Sequence, residues 1–214
     1  KGSLANAFDE VCKYYSAEGQ AAPFERQALI KLRHIAGDAA LGKKVETHRD
    51  SFVYSGAPWD LTVALDLRRQ QVKQLVEPGQ INLKHSHGGI VTLEYAIQYL
   101  QVMHGHRHPS LRPPNTLRAL AALIDVGLIP RTTGENLRKS YLFIRMLIDG
   151  LRMVRGNTKD LVIPPPDSDE FIFLARRVGY QTEDWQAGAR HLQTDIEEHM
   201  KQNRQFFEKM FGKV

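Results

Sequence analysis

The chain has 214 residues, of which 42% are hydrophobic and 25% charged, a composition typical of a globular protein with a sizeable buried core. No run of about 18 apolar residues could cross a bilayer, and the single cysteine, Cys12, excludes an internal disulfide and a multi-cysteine zinc site. The single cysteine suits a reducing compartment, so we expect the cytoplasm. The chain opens at Lys1 without an apolar signal segment, so we expect it to be part of a longer polypeptide.

Apolar residues recur every three or four positions along most of the chain, and no alternating segment is long enough for a convincing strand. This pattern predicts an all-α fold, a multi-helix bundle of about eight or nine helices. Caps, glycines and prolines mark where the helices begin and end. In chain order the predicted helices cover about 4–18, 23–36, 38–52, 59–77, 90–104, 116–126, 133–154, 169–178 and 182–211.

The fourth predicted helix carries Leu61, Leu65 and Val72 among its apolar residues, and we assign Arg68 and Arg69 to its polar side. No internal repeat or low-complexity tract is present. We therefore predict one helical domain over 21–214, preceded by a connecting helix over 1–20 that leads from an upstream unit.

The glycine pair before the fifth predicted helix is the first candidate site. Gly88 and Gly89 precede Ile90, and Lys84 lies shortly before them. Free amides at a helix start, approached closely because glycine lacks a Cβ, bind phosphate, and a lysine adds positive charge. The alternative is a tight turn, which is the commoner use of such a pair.

Glu94 is the second candidate, because it lies between Leu93 and Tyr95 in an otherwise apolar helix. A carboxylate in such a position needs a partner or a function. We favour a structural ion pair with an arginine from another helix over a role in organising a bound metal.

Histidines and dispersed cations complete the candidates. Alternating histidines can be metal ligands, and they occur at His85 and His87 and again at His104, His106 and His108. No cysteine or carboxylate completes a familiar spacing, so we favour a solvated loop and no metal site. The cations would form an anion-accepting groove only if the fold brought them together. They are Lys31, Arg33, Arg68, Arg69, Arg107, Arg112, Arg145, Arg152 and Arg155.

Three blocks of the sequence resemble the bacterial glutamine synthetase adenylyltransferase family. The first is FERQALIKLR at 24–33 with AGD at 36–38. The second joins Lys84 and the Gly-Gly-Ile at 88–90 to LEY at 93–95 and QYL at 98–100. The third runs from His104 through PSLR at 109–112 and PNTL at 114–117 to Gly127. The blocks keep a consistent order over most of the chain.

In that family a nucleotidyltransferase domain of the polymerase-β type precedes an all-helical domain, and the resemblance falls wholly on the helical part. The nucleotidyltransferase signature is a Gly-Ser turn followed by two alternate carboxylates that hold magnesium. Neither Asp9-Glu10 after Gly2-Ser3 nor the pair Asp60 and Asp66 fits it. We therefore expect no catalytic residue and no metal ligand in this chain, and AMP transfer only by a parent protein with the upstream domain.

The resemblance also implies which residues face the cleft of the catalytic domain. The implied nucleotide- or phosphate-binding residues are Lys84, Gly88, Gly89 and Arg33, and the implied supporting residues are Glu94, Glu25, Arg112 and Arg145. Val91 and Thr92 depart from the family pattern, since many members carry an arginine and an acidic residue there. The loss of these two charges indicates a divergent branch.

The resemblance implies Mg²⁺ and ATP as cofactors of the parent enzyme, with none held tightly by this chain. It implies addition of AMP to, or its removal from, a tyrosine of a protein substrate such as glutamine synthetase. The alternative is a non-catalytic regulatory module that binds a PII-type nitrogen signal protein, an alternative motivated by Val91 and Thr92. Nucleic-acid binding rests only on the net charge of +5 and is not expected, nor is a membrane partner.

Overall fold

The computed structural model describes residues 5–59, 61–157 and 160–212. Within these ranges the chain forms nine α-helices, and the prediction of an all-α fold is confirmed. No helix in the described ranges has the length and apolar character needed to cross a membrane. The helices are α1 (Phe8–Tyr14), α2 (Glu25–Leu29), α3 (Ala39–Val53), α4 (Thr62–Leu75), α5 (Ile90–His104), α6 (Thr116–Asp125), α7 (Arg131–Arg155), α8 (Asp169–Arg177) and α9 (Trp185–Phe211).

Side-chain caps begin several of these helices close to their predicted starts. Asp38 accepts a hydrogen bond from the Leu41 amide at 2.7 Å and so begins α3. Asn115 and Ser168 begin α6 and α8 in the same way. These caps satisfy amides that the first turn of a helix leaves without partners, which is why the sequence located these helices well.

The first two helices are shorter than predicted. The Ser16 hydroxyl donates to the Lys13 carbonyl at 3.0 Å, and α1 ends at Tyr14. Its predicted cap, Ser3, lies outside the described residues. The helix predicted to reach residue 36 ends at Leu29, because the next amides turn back to carbonyls three positions earlier and Arg49 takes the Leu32 carbonyl.

The chain divides into two compact units. The first unit consists of residues 1–66 and 97–129 and therefore contains α1, α2, α3, the start of α4, the second half of α5, and α6. Its main apolar cluster is built from Ile30, Val53, Tyr54, Trp59, Ala64 and Val102. Trp59, predicted to begin α4, instead lies before it, buried, with its indole Nε1 donating to the Pro23 carbonyl at 2.8 Å.

The second unit consists of residues 67–96 and 130–214. Helices α7, α8 and α9 pack on one another in pairs. Their shared core includes the fully buried Leu147, Leu151, Phe171, Leu174 and Leu192. Leu83 and Ile90 join the same core from the segment that leads into α5, so the glycine turn between them is anchored on both sides by buried apolar residues.

Candidate functional site

The glycine turn of the second unit is organised by polar contacts within residues 82–86. The Asn82 Oδ1 atom accepts from the amides of Lys84 and His85, both at 3.0 Å, and the Asn82 amide donates to Ser86 Oγ at 2.8 Å. Asn82 and Ser86 are buried, whereas Lys84 is exposed. The turn therefore has a fixed backbone and presents the lysine side chain to solvent.

The amides at the start of α5 already have partners. The Gly88 amide donates to Thr92 Oγ1 at 3.1 Å, and the Gly89 amide donates to the Ser86 carbonyl at 2.9 Å. The next two amides donate to the carbonyls of Leu83 and Lys84. Our premise that this helix start offers free amides to a phosphate is therefore wrong. The assignment of Lys84, Gly88 and Gly89 to a nucleotide stays a prediction that rests on the lysine charge and the family resemblance.

Close packing explains both glycines. Gly88 has φ of +87°, and a Cβ there would lie 2.1 Å from the carbonyl oxygen of Met200 in α9. A Cβ on Gly89 would lie 2.7 Å from the Leu83 carbonyl oxygen. Asn203 of α9 donates from Nδ2 to the Gly88 carbonyl at 3.0 Å. The pair lets the start of α5 lie directly against the backbone of α9.

Arg68 holds the same turn from α4, and our assignment of it to a polar face is wrong. The residue is 2% exposed. Its Nη2 atom lies 2.8 Å from the His85 carbonyl, 3.3 Å from the Ser86 carbonyl and 3.0 Å from Thr92 Oγ1. Position 68 lies three residues after Leu65 and four before Val72, so the apolar spacing of α4 was the signal for its burial.

The Arg68 guanidinium has no carboxylate partner within the described part of the chain. Its Nη1 atom is buried and makes no hydrogen bond. Burial lowers the pKa of Arg68, and nearby Tyr95 opposes that shift. Arg68 lines a narrow recess together with His87, Thr92, Arg204, Phe207 and Glu208.

The recess combines residues that are far apart in sequence. Arg204 and Glu208 come from α9, and His87 comes from the glycine turn. Burial, with the charges of Arg68 and Arg204, lowers the pKa of His87, so its imidazole is neutral near pH 7. No local motif links α4 to α9, and the sequence analysis therefore missed this cluster as a unit.

Glu94 makes a different contact from the one predicted. It is half-buried, and its Oε1 atom accepts from the Tyr141 hydroxyl at 3.3 Å. No salt bridge to Glu94 is present among the described residues, so the interpretation as a structural ion pair is wrong. A tyrosine hydroxyl satisfies the carboxylate without a second charge.

The remaining predicted site residues fall in both units. Arg33, in the first unit, and Arg145, on α7 in the second, are exposed. Glu25 accepts from the Tyr14 hydroxyl and the Ala22 amide, both at 2.9 Å, and so ties α1 to the start of α2. Arg112 donates from Nε to the Gly105 carbonyl at 3.0 Å and lies over the Tyr54 ring. Glu25 and Arg112 thus stabilise the first unit.

No group of three or more histidine, cysteine, aspartate or glutamate side chains suited to a metal ion is found across the described ranges. In the predicted histidine series, burial lowers the pKa of His104, and the neighbouring His108 and His106 contribute to the shift.

The family model for GlnD PII-uridylyltransferase matches residues 63–211, more than two thirds of the chain. The chain belongs to this family. The match covers α4 to α9, and therefore the glycine turn, Arg68 and the α9 residues of the recess. Thus the whole recess lies in the segment that the family shares.

The curated relatives that the chain matches include bifunctional glutamine synthetase adenylyltransferase/adenylyl-removing enzymes. That of Mycobacterium tuberculosis H37Rv is 35% identical over 179 residues, 82% of this chain and 18% of the relative. That of Xanthomonas campestris pv. campestris is 34% identical over 87% of this chain and 20% of the relative. That of Corynebacterium glutamicum is 29% identical over 91% and 19%. The family resemblance seen in the sequence blocks is confirmed, and the chain spans about a fifth of these relatives.

Proposed function

We propose that this chain is the helical domain of a nucleotidyltransferase related to the glutamine synthetase adenylyltransferases, and that it helps to bind nucleotide and to present a protein substrate. The observation that carries the proposal is the 35% identity to the Mycobacterium tuberculosis enzyme over 82% of the chain. An all-α fold without a strand in the described ranges is consistent with the helical part of such an enzyme.

The chemistry then belongs to a parent protein with a nucleotidyltransferase domain upstream of this chain. That domain would use Mg²⁺ and ATP to transfer AMP to a tyrosine of glutamine synthetase, or would remove it. The segment over 1–20, which contains α1, would join the domains. We place this activity in the cytoplasm, because a single cysteine suits a reducing compartment.

Lys84 is the residue of the glycine turn best placed to act on a nucleotide. Its side chain is exposed, while the backbone beneath it is held by Asn82. In this proposal Gly88 and Gly89 act indirectly, by holding the turn against α9.

The test uses the gene product that contains this chain, incubated with ATP, Mg²⁺ and purified glutamine synthetase. Mass spectrometry should detect AMP on a glutamine synthetase tyrosine. We expect Lys84→Ala to lower the initial rate by about tenfold, because one charged contact to phosphate is lost. Lys44→Ala, which removes an exposed lysine of α3, is the matched control and should leave the rate unchanged. Absence of AMP on glutamine synthetase would contradict the proposal.

The family model supports a second candidate, because its description names a PII-uridylyltransferase. In this candidate the chain is a non-catalytic regulatory module that binds a PII-type signal protein. A pull-down with purified PII distinguishes the two. PII binding by the chain, without nucleotide transfer to glutamine synthetase by the gene product, would favour the module.

A further inference from the structure

The outer face of α7 carries apolar side chains that the fold leaves uncovered. Leu142, Met146 and Met153 are 42%, 40% and 62% exposed. They follow one another by four and seven residues, so they form a single stripe along the helix. The inner side of α7 packs against α8 and α9 in the core of the second unit. Single apolar side chains at a surface need no explanation, whereas an aligned stripe indicates a contact surface.

The exposed apolar surface continues from α7 onto α8. Arg177 Nη2 lies 2.9 Å from Met153 Sδ, at one end of the stripe. Phe173 is 56% exposed and precedes Arg177 by four residues, so the two lie on the same side of α8. Two neighbouring helices therefore expose apolar side chains next to each other.

A row of arginines runs beside the stripe at a spacing of seven residues. It consists of Arg138, Arg145 and Arg152, and seven residues are close to two turns of helix. Arg138 and Arg145 are exposed, and no salt bridge to either is present within the described ranges. Arg152 lies 3.3 Å from Asp149, so the carboxylate nearest the stripe already has a charge partner. The border of the stripe is therefore positively charged.

We infer that this face of α7 docks an amphipathic helix of a partner protein, one that carries acidic residues beside its own apolar stripe. From Arg138 to Met153 the face is about 22 Å long, close to the length of two heptads. Arginine suits such a partner, because its planar guanidinium can pair with a carboxylate through two parallel hydrogen bonds. The inference is independent of the proposed function, since no nucleotide takes part in it.

The charges of the face oppose two other occupants. Its carboxylates are Glu135 and Asp149, and the cations outnumber them. The cations are Arg138, Lys139, Arg145 and Arg152. A second copy of this chain would bring two positively charged faces together, which is unfavourable. An anionic membrane would repel Asp149, which lies between Met146 and Met153 in the sequence of the stripe.

Fluorescence anisotropy of a labelled synthetic peptide tests the docking face. The peptide has about four heptads, with leucine at the apolar positions and glutamate beside them, so that its own charge opposes pairing with itself. We expect saturable binding to the full chain that Arg145→Glu weakens by at least about tenfold, because an attraction becomes a repulsion. Lys209→Glu, which changes an exposed lysine of α9, is the matched control and should bind like the wild type. A peptide with lysine in place of glutamate should not bind.

A second variant tests the apolar stripe without a change of charge. Met146→Gln should also weaken peptide binding by at least about tenfold, and because the residue is exposed, urea unfolding should match the wild type. The gene product that contains this chain should bind the acidic peptide as the chain does.

Four results would overturn the inference. The first is absence of saturable binding of the acidic peptide, or equal binding of the acidic and lysine peptides. The second is unchanged affinity in Arg145→Glu. The third is binding by the chain but not by the gene product, since another part of the parent would then cover the face. The fourth is self-association of the chain, or its binding to phosphatidylserine vesicles, that Met146→Gln abolishes.

Discussion

Gly88 has two separate reasons to be glycine. Its φ of +87° lies in the left-handed region, which costs other residues about 1–2 kcal/mol. A Cβ would also lie 2.1 Å from the carbonyl oxygen of Met200, which is backbone of α9 and cannot rotate away. The position therefore couples the start of α5 to α9.

We expect Gly88→Ala to destabilise the fold by more than about 3 kcal/mol, because backbone strain and the clash with Met200 add. Urea denaturation followed by circular dichroism measures the loss. Gly127→Ala is the matched control: φ there is +75°, but nothing lies within 4 Å of the added Cβ. It should cost only about 1–2 kcal/mol. Equal losses in the two variants would contradict the proposed contact with α9.

The sequence identified several important residues of the second unit but not their contact partners. The glycine pair and Glu94 were singled out because their chemistry is unusual in their local sequence. Their partners were not predictable: Met200 and Tyr141 lie far along the chain and are selected by packing. Arg68 is buried because it lies on the apolar stripe of α4, although the charge of an arginine is typical of a polar face.

At the scale of helices, two arginines link α2 and α3. Arg26 of α2 donates from Nη2 to the carbonyl of Val53, the last residue of α3, at 2.8 Å. Arg49 of α3 donates from Nη1 to the Leu32 carbonyl at 2.5 Å, just beyond α2. Carbonyls at helix ends lack partners within the helix, so a side chain from elsewhere can satisfy them.

We predict that Arg26→Met destabilises the chain by about 2–4 kcal/mol. The methionine fills similar space but leaves the buried Val53 carbonyl and the Ala57 carbonyl without their donor. Chemical denaturation at unchanged m value measures this loss. Arg33→Ala, an exposed arginine shortly after α2, should change stability by less than about 0.5 kcal/mol. A similar small change for Arg26→Met would exclude the proposed capping role.

The predicted helix bounds are accurate where the signal for a helix end is local in the sequence. Helices α3, α6 and α8 begin at caps whose acceptor lies within three residues of the donor, so the signal is local. Helices α1 and α2 were predicted too long, because apolar periodicity continued past their ends. The Leu32 carbonyl accepts a hydrogen bond from Arg49 of α3 and not from a later amide of its own segment. A local sequence pattern cannot predict this contact between distant residues.

For the whole molecule, apolar periodicity was sufficient to predict the all-α class. It could not predict that α4 and α5 each contribute to two compact units, because that depends on long-range contacts. The recess followed the same rule: its residues were visible, but their convergence was not. Charge arithmetic gave a net +5 without showing that part of it is buried at Arg68.

Burial of histidines gives the molecule a pH dependence. Burial lowers the pKa of four rings below the ordinary value of about 6.5, those of His85, His87, His104 and His199. Below about pH 6.5 the unfolded chain binds more protons at these rings than the folded chain does, so folding stability falls as the pH drops. Glu46 and Asp184, whose pKa values backbone hydrogen bonds lower, act only below about pH 4.5.

We therefore expect the midpoint of urea unfolding to be constant between about pH 7 and 8 and to fall from about pH 6.5 to 5. His199→Gln should reduce this fall, because one ring that must stay neutral beside the buried Ser140 is removed. His191→Gln, an exposed histidine of the same helix, is the control and should retain the wild-type slope. A midpoint that rises on acidification, or identical slopes in all three proteins, would show that histidine burial does not govern stability in this range.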